Sequence, residues 1–283
     1  YTLLGGVRAV VWTDIVQAVI FGALMLVGAG IAIVAAGGIA TGFEASVAAR
    51  PEAFAFDPSR AGSPLTLMII WSLGYVLLPH MWQRAYMAKS AQSLSRSIVL
   101  GSVCALALIA LPSMLMGTLG IGFMSDAPSD SDRFVPTMYA RHFSAALPFL
   151  ALATFAAGMS TVDSQLLSAA SVVVRDVVTP LSGGRTISAR TERIVGRLAT
   201  TILIVLLVVI ALTPVGASGN IILLASKGTG IALLLLVPLI GALFVPRAPR
   251  AAGMVSIAVG GVVLILLELG PWAPRIPLSF GPP

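Results

Sequence analysis

The chain has 283 residues, 58% of them hydrophobic and 10% charged, with a net charge of +6. Soluble domains carry about 25% charged residues, so this composition, with a mean hydropathy of +1.01, excludes a water-soluble surface and points to lipid as the solvent. The positive charge does not point to nucleic acid, because Arg and Lys fall in short loops between apolar runs and form no basic stripe with interleaved aromatics.

In chain order, the apolar runs predict an all-α membrane protein of about seven transmembrane helices. The first covers residues 7–36, and a polar stretch, 37–64, follows with Glu44, Glu52 and Asp57. The second covers 65–87, and a basic loop, 88–97, holds Lys89 and Arg96. The third covers 98–124 and is followed by an acidic loop with Asp126, Asp130 and Asp132. The fourth, 147–178, is longer than the ~20 residues a bilayer needs, so it tilts or extends beyond the membrane. Arg185, Arg190 and Arg193 lie in the next loop. The fifth covers 198–212 and ends before Pro214, the sixth covers 221–245 and the seventh 251–269. The single cysteine, Cys104, lies within the third run. It excludes a disulfide within the chain and a Cys-based zinc site, and it reads as a small core residue.

Alternating the spans places ten Arg and Lys in the loops after spans two, four and six, against five on the opposite side. The positive-inside rule makes the ten-charge side cytoplasmic. The N-terminus is then cytoplasmic and the C-terminus external.

A polar group facing lipid is costly, so polar residues at depth are functional candidates. Asp14 and Gln17 stand three residues apart on one face of the first helix. A carboxylate there could draw a cation to a pore mouth or bond to a neighbouring helix end. In the second span, Trp71, Tyr75 and Pro79 recur at i, i+4, i+8. Pro79 cannot donate to the Tyr75 carbonyl, which predicts a free acceptor beside two aromatics. Such an opened helix is either a solute seat or a packing kink. In the fourth span, Ala157, Ser160 and Thr161 form one patch at i, i+3, i+4, with Asp163 pointing about 200° away from Thr161. One carbonyl and two hydroxyls suit a hard monovalent cation, and small hydroxylated residues equally suit close helix packing. In the sixth span Lys227 needs an anion, a carbonyl or a water-filled cavity, or it snorkels outward. No His-Glu-x-x-His run, Gly-x-Ser-x-Gly elbow or phosphate-cradling loop points to an enzyme.

Three segments together resemble the sodium:solute symporter family. Gly5 to Gln17, containing Trp12-Thr13-Asp14, is similar to the family's fifth core helix. Pro79-His80-Met81-Trp82-Gln83-Arg84 with Ala88-Lys89-Ser90 is similar to the end of its sixth helix and the loop beyond. Ala156 to Leu167, closing on Arg175-Asp176, is similar to its eighth. The resemblance covers the whole chain, more weakly after Arg197.

The resemblance implies part of a leucine-transporter-like inverted-repeat fold within a single transmembrane domain, residues 1–283. Residues 7–36 would be the last helix of the first repeat, 65–245 the second repeat and 251–269 an extra helix. The chain opens without an initiator Met, and the first four core helices have no counterpart, which implies a C-terminal fragment. The resemblance further implies sodium as coupling ion and no other cofactor. It assigns Ala157, Ser160 and Thr161 to a sodium site, Asp14 to the sodium path, and Trp71, Tyr75 and Pro79 to solute contact, as in the sodium/proline branch. The sugar branch carries an Asn and a gating Tyr where this chain has Trp71 and Gly74. A small amino acid such as proline, or a carboxylate such as pantothenate, is therefore expected, imported across the cell membrane of a bacterium. Lys227 departs from the neutral residue usual in the family. The alternatives are a proton-coupled or uncoupled transporter, with Lys227 as the charged element, and the membrane sensing region of a receptor kinase.

Overall fold

Backbone N–H and C=O groups have no water to bond in hydrocarbon, so an apolar span must satisfy them internally. Each of the seven predicted runs is helical in the computed structural model, which describes residues 2–55, 62–124, 131–183, 187–213, 221–247 and 249–269. No strand occurs among the described residues. Asp57, Asp126, Asp130, Arg185 and Pro214 lie outside them.

The helices are α1 (Thr2–Ala35), α2 (Ile39–Ala49), α3 (Gly62–Ile69), α4 (Pro79–Tyr86), α5 (Ala91–Phe123), α6 (Ser131–His142), α7 (Ser144–Leu181) and α8 (Ala189–Ala211). After them come α9, which runs Ile221–Ala232 and continues through a tight turn into Leu236–Phe244, and α10 (Arg250–Leu269). Helices α1, α5, α7, α8 and the Ala225–Phe244 part of α9 are long and apolar enough to cross a membrane. The second predicted span is instead two pieces, Leu65–Gly74 and Pro79–Tyr86, bent by 46°, and would make a sixth crossing. The apolar part of α10, Ala251–Leu266, has 16 residues. It rises about 24 Å, short of the roughly 30 Å hydrocarbon layer.

The chain forms two compact units. One contains α1, α2, α5, α6, α7 and most of α8; the other contains α3, α4, α9 and α10. In the first unit, α1 packs most extensively on α7, and α2 on α5. The main core gathers Ala32 of α1, Met116 and Leu119 of α5, Met138 and Tyr139 of α6, and Ala146 and Leu150 at the start of α7. The end of α1 thus meets the beginning of α7, and the two run antiparallel.

The stop of α1 is chemical. Gly37 and Gly38 adopt φ of 72° and 112°, a region that excludes most side chains. Gly38 N–H donates to Ile33 O and Gly37 N–H to Val34 O, the two bonds of a Schellman cap.

The structure corrects several expectations. Within the stretch read as polar, Ile39–Ala49 is a helix docked on α5. Its Ser46 is fully buried and bridges to Leu119 O and Gly122 N. Asp132 lies on helix α6 rather than in a loop, because Phe134, Met138 and Tyr139 supply a buried face among charged neighbours. Arg190, Arg193 and Arg197 stand on α8. That helix starts before its apolar run, with the Ser188 hydroxyl accepting from Thr191 N–H. Ser90 caps α5 in the same way, through Ser93 N–H, so α5 also begins ahead of its apolar run. Cys104 is exposed on α5 and not a core residue. It shares that outward surface with Leu100, Val103 and Leu106, a band of apolar side chains suited to lipid or further helices.

Candidate ion and solute sites

In the first unit, α7 brings the predicted oxygen patch together. Ser160 Oγ donates to Ala157 O at 3.3 Å, and Thr161 Oγ1 donates to the same carbonyl at 3.2 Å. With their protons turned to that carbonyl, both hydroxyls keep lone pairs for a cation. Thr161 is exposed, while Ala157 and Ser160 are half-buried. The set holds no carboxylate, and no cluster of three His, Cys, Asp or Glu occurs among the described residues. Neutral oxygens of this kind fit a monovalent hard ion rather than a transition metal.

Asp163 belongs to another face. It lines a groove of about 570 Å³ with Thr154, Phe155, Gly158, Val162 and Ile204 of α8, and none of the three patch residues lines it.

Asp14 and Gln17 on α1 are both half-buried, and their Oδ1 and Oε1 atoms are shut off from solvent. The antiparallel pairing orders these residues along the bundle. Asp14 lies 18 residues before Ala32, about 27 Å along α1, whereas Thr161 lies 11 residues after Leu150, about 16 Å along α7. Taken from the shared core at Ala32, Ala146 and Leu150, Asp14 sits about 5–10 Å farther along the bundle than the oxygen patch, away from the capped end of α1. On the positive-inside expectation this is the cytoplasmic direction.

In the second unit, the predicted kink has a specific form. Ile70–Gly74 is a widened π-type turn, a geometry that recurs at functional sites. It ends with Tyr75 N–H donating to Trp71 O. Leu77 N–H then donates to Gly74 O and Leu78 N–H to Tyr75 O. The Tyr75 carbonyl is therefore not a free acceptor as the sequence suggested, because a tight turn before Pro79 takes it up. Trp71 and Tyr75 stay one turn apart, 37% and 38% exposed, while Pro79 opens α4 beyond the bend. Buried His80 packs edge-on against Tyr75 with ring centres 5.9 Å apart.

Helix α9 faces this turn. Trp71 Nε1 donates to Ser226 Oγ at 3.0 Å. A Cβ added at Gly74 would lie 2.3 Å from the Thr229 carbonyl oxygen, so the two backbones are in contact there. Lys227 is half-buried between those two α9 residues. Sequence reasoning singled out Lys227 and missed Ser226. A small hydroxyl beside a charge carries no signal of a partner 155 residues away.

The family model described as "Sodium:solute symporter family" matches residues 1–260. A sodium/pantothenate symporter of Haemophilus influenzae is 28% identical over 95% of this chain and 56% of its own length. The osmoregulated proline transporter OpuE of Bacillus subtilis is 32% identical over 76% of this chain and 44% of its own length. Sodium/proline symporter 2 of Staphylococcus saprophyticus is 28% identical over 94% of this chain and 52% of its own length. The chain spans about half the length of these relatives. No solved structure matches it.

Proposed function

Because the chain belongs to the sodium:solute symporter family, we propose that the full-length protein is a sodium-coupled symporter importing a small organic solute. Two of the relatives above are named for sodium with proline or pantothenate, and a solute of that class is proposed here. The activity is transport across the cell membrane rather than a chemical transformation. Residues 7–36 would close the first of two inverted repeats, 65–245 would form the second, and 251–269 would follow.

The observation that carries the reading is the family match over residues 1–260, and the Ser160 and Thr161 hydroxyls gathered at the Ala157 carbonyl offer the ion a candidate site. Sodium, as cargo, would take the Ser160 and Thr161 hydroxyl oxygens, and the Ala157 carbonyl as those hydroxyls turn from it, and complete its shell from elsewhere in the full-length protein. Asp14, farther along the same bundle, would draw the ion along its path. Trp71, Tyr75 and Pro79 would meet the solute, and Lys227 would bear on either the solute's charge or the ion stoichiometry. Coupling then follows from linkage: sodium stabilises the solute-binding state, and solute raises sodium affinity by the same factor.

The test is uptake of labelled proline, pantothenate and a panel of related solutes by the full-length protein in vesicles, with sodium varied and Thr161→Ala alongside. Uptake should rise with sodium. Loss of one oxygen ligand should raise the sodium needed by about tenfold or more. Uptake that ignores sodium, with Thr161→Ala matching wild type, would overturn the assignment.

A further inference from the structure

We propose that Ser226 is a positioning residue for the solute seat: its hydroxyl fixes the Trp71 indole so that the ring presents one constant face to the solute. The proposal rests on the reading of Trp71 as a solute contact.

Indole N–H is a donor only, and where it is turned into the protein it needs an acceptor there. Ser226 Oγ supplies that acceptor at 3.0 Å. Ser226 itself is 0% exposed, and Ile70, Gly74 and Thr229 around it are buried. The acceptor is therefore held by packing and shielded from competing water.

The short reach of a serine suffices because the helices touch. The Gly74 and Thr229 backbones approach too closely for any side chain at position 74. Thr229 Oγ1 turns back to the Ala225 and Ser226 carbonyls of its own helix, which leaves the seam free of competing donors from that side chain.

Fixing Nε1 sets both side-chain torsions of Trp71 at once. The ring keeps 37% of its surface open. Without the bond, the indole would have to be ordered each time solute bound, at a cost equivalent to about 3- to 10-fold in affinity. Trp71 lies within the wide turn at Ile70–Gly74, and from there its indole reaches α9.

The experiment measures KM and maximal rate for uptake of labelled proline and of labelled pantothenate by the full-length protein in proteoliposomes. The variants are Ser226→Ala, Trp71→Phe, the two together, and Trp71→Ala. Trp71→Phe deletes the N–H donor, keeps an aromatic face and leaves α9 untouched, so it guards against a folding defect at the buried serine. Ser226→Ala and Trp71→Phe should each raise KM about 3- to 10-fold with the maximal rate within twofold. The double variant should be no worse than Trp71→Phe alone. Effects that multiply in the double variant would overturn the proposal. A raised KM in Trp71→Ala with no change in Ser226→Ala would also overturn it while leaving the solute reading intact. An unchanged KM in Trp71→Ala would overturn both.

Discussion

Replacing Ser46 by Ala tests whether α2 is a docked element or a passing loop. Ser46 Oγ shares its proton between Gly42 O at 2.7 Å and Leu119 O at 3.2 Å, and accepts from Gly122 N–H at 2.9 Å. The residue is 0% exposed, so no water replaces these bonds. Two bonds at about 1 kcal/mol each give a loss of about 2 kcal/mol. In a full-length protein about twice as long as this chain, that corresponds to about 2 °C in unfolding temperature. The space around the serine is already filled, since a Cβ at Gly122 would stand 2.9 Å from Ser46 Oγ. Ser46→Leu should therefore be worse than Ser46→Ala through overpacking. Thermal unfolding of the detergent-solubilised full-length protein is the assay, with Gln92→Ala on the exposed start of α5 as control. A Ser46→Ala midpoint within 1 °C of that control, roughly the resolving power of such an assay set against the shift expected, would refute the docking argument.

Three further outcomes are expected. Tyr139 is 1% exposed and its hydroxyl donates to Leu24 O. Burial raises its pKa above the ordinary tyrosine value, against a smaller opposing contribution from the Gly28 backbone. The folded state then holds the proton that the unfolded state releases. Stability should be fully present below about pH 10 and fall as pH rises beyond it. Tyr139→Phe should be about 1 kcal/mol less stable at neutral pH and lose the tyrosine-dependent part of that alkaline decline; identical pH–unfolding curves would count against this. Asp14→Asn should cut uptake at limiting sodium by about tenfold, with Asp14→Glu largely restoring it; uptake equal to wild type at every sodium concentration would remove Asp14 from the path. Gly74→Ala forces a carbon onto the Thr229 carbonyl and should cost about 1–3 kcal/mol. Gly101→Ala, with nothing within 4 Å, should be neutral or stabilising by up to about 1 kcal/mol. Equal unfolding temperatures for the two variants would contradict the close approach.

Long apolar runs were legible because lipid-facing helices leave little choice of residue. Within Ala91–Phe123, the most apolar 18-residue window is only 6% buried, so the run could be read without knowing what it packs against. The reverse holds for α2 and α6. Each buries a few small or aromatic residues, Gly42 and Ser46 or Met138 and Tyr139, inside stretches whose charges suggest loops. The Ala157, Ser160 and Thr161 patch was visible from helical spacing alone, because its three members share one turn. Its ion was not. Spacing left packing and cation binding both open, and sodium entered only through the family motifs. The turn at Ile70–Gly74 was legible as a disturbance at Pro79 but not as a π turn, and the Trp71–Ser226 bond was not legible at all. Both depend on two segments meeting across 155 residues.

The uneven core of the first unit has a mechanical consequence. Met116, Leu119, Met138 and Tyr139 gather at the capped end of α1, whereas the farther half of α7 buries Ser164, Ser168 and Ala170 beside Leu166 and Val174. A rod that turns about one end acts as a lever. With its fulcrum near Ala32, a tilt of about 10° in α1 would carry Asp14, about 27 Å away, through about 5 Å. The same tilt would move residues beside the fulcrum by less than about 1 Å. A pivot at that end thus sets where small rotations become large displacements, and it places the carboxylate at the amplified end.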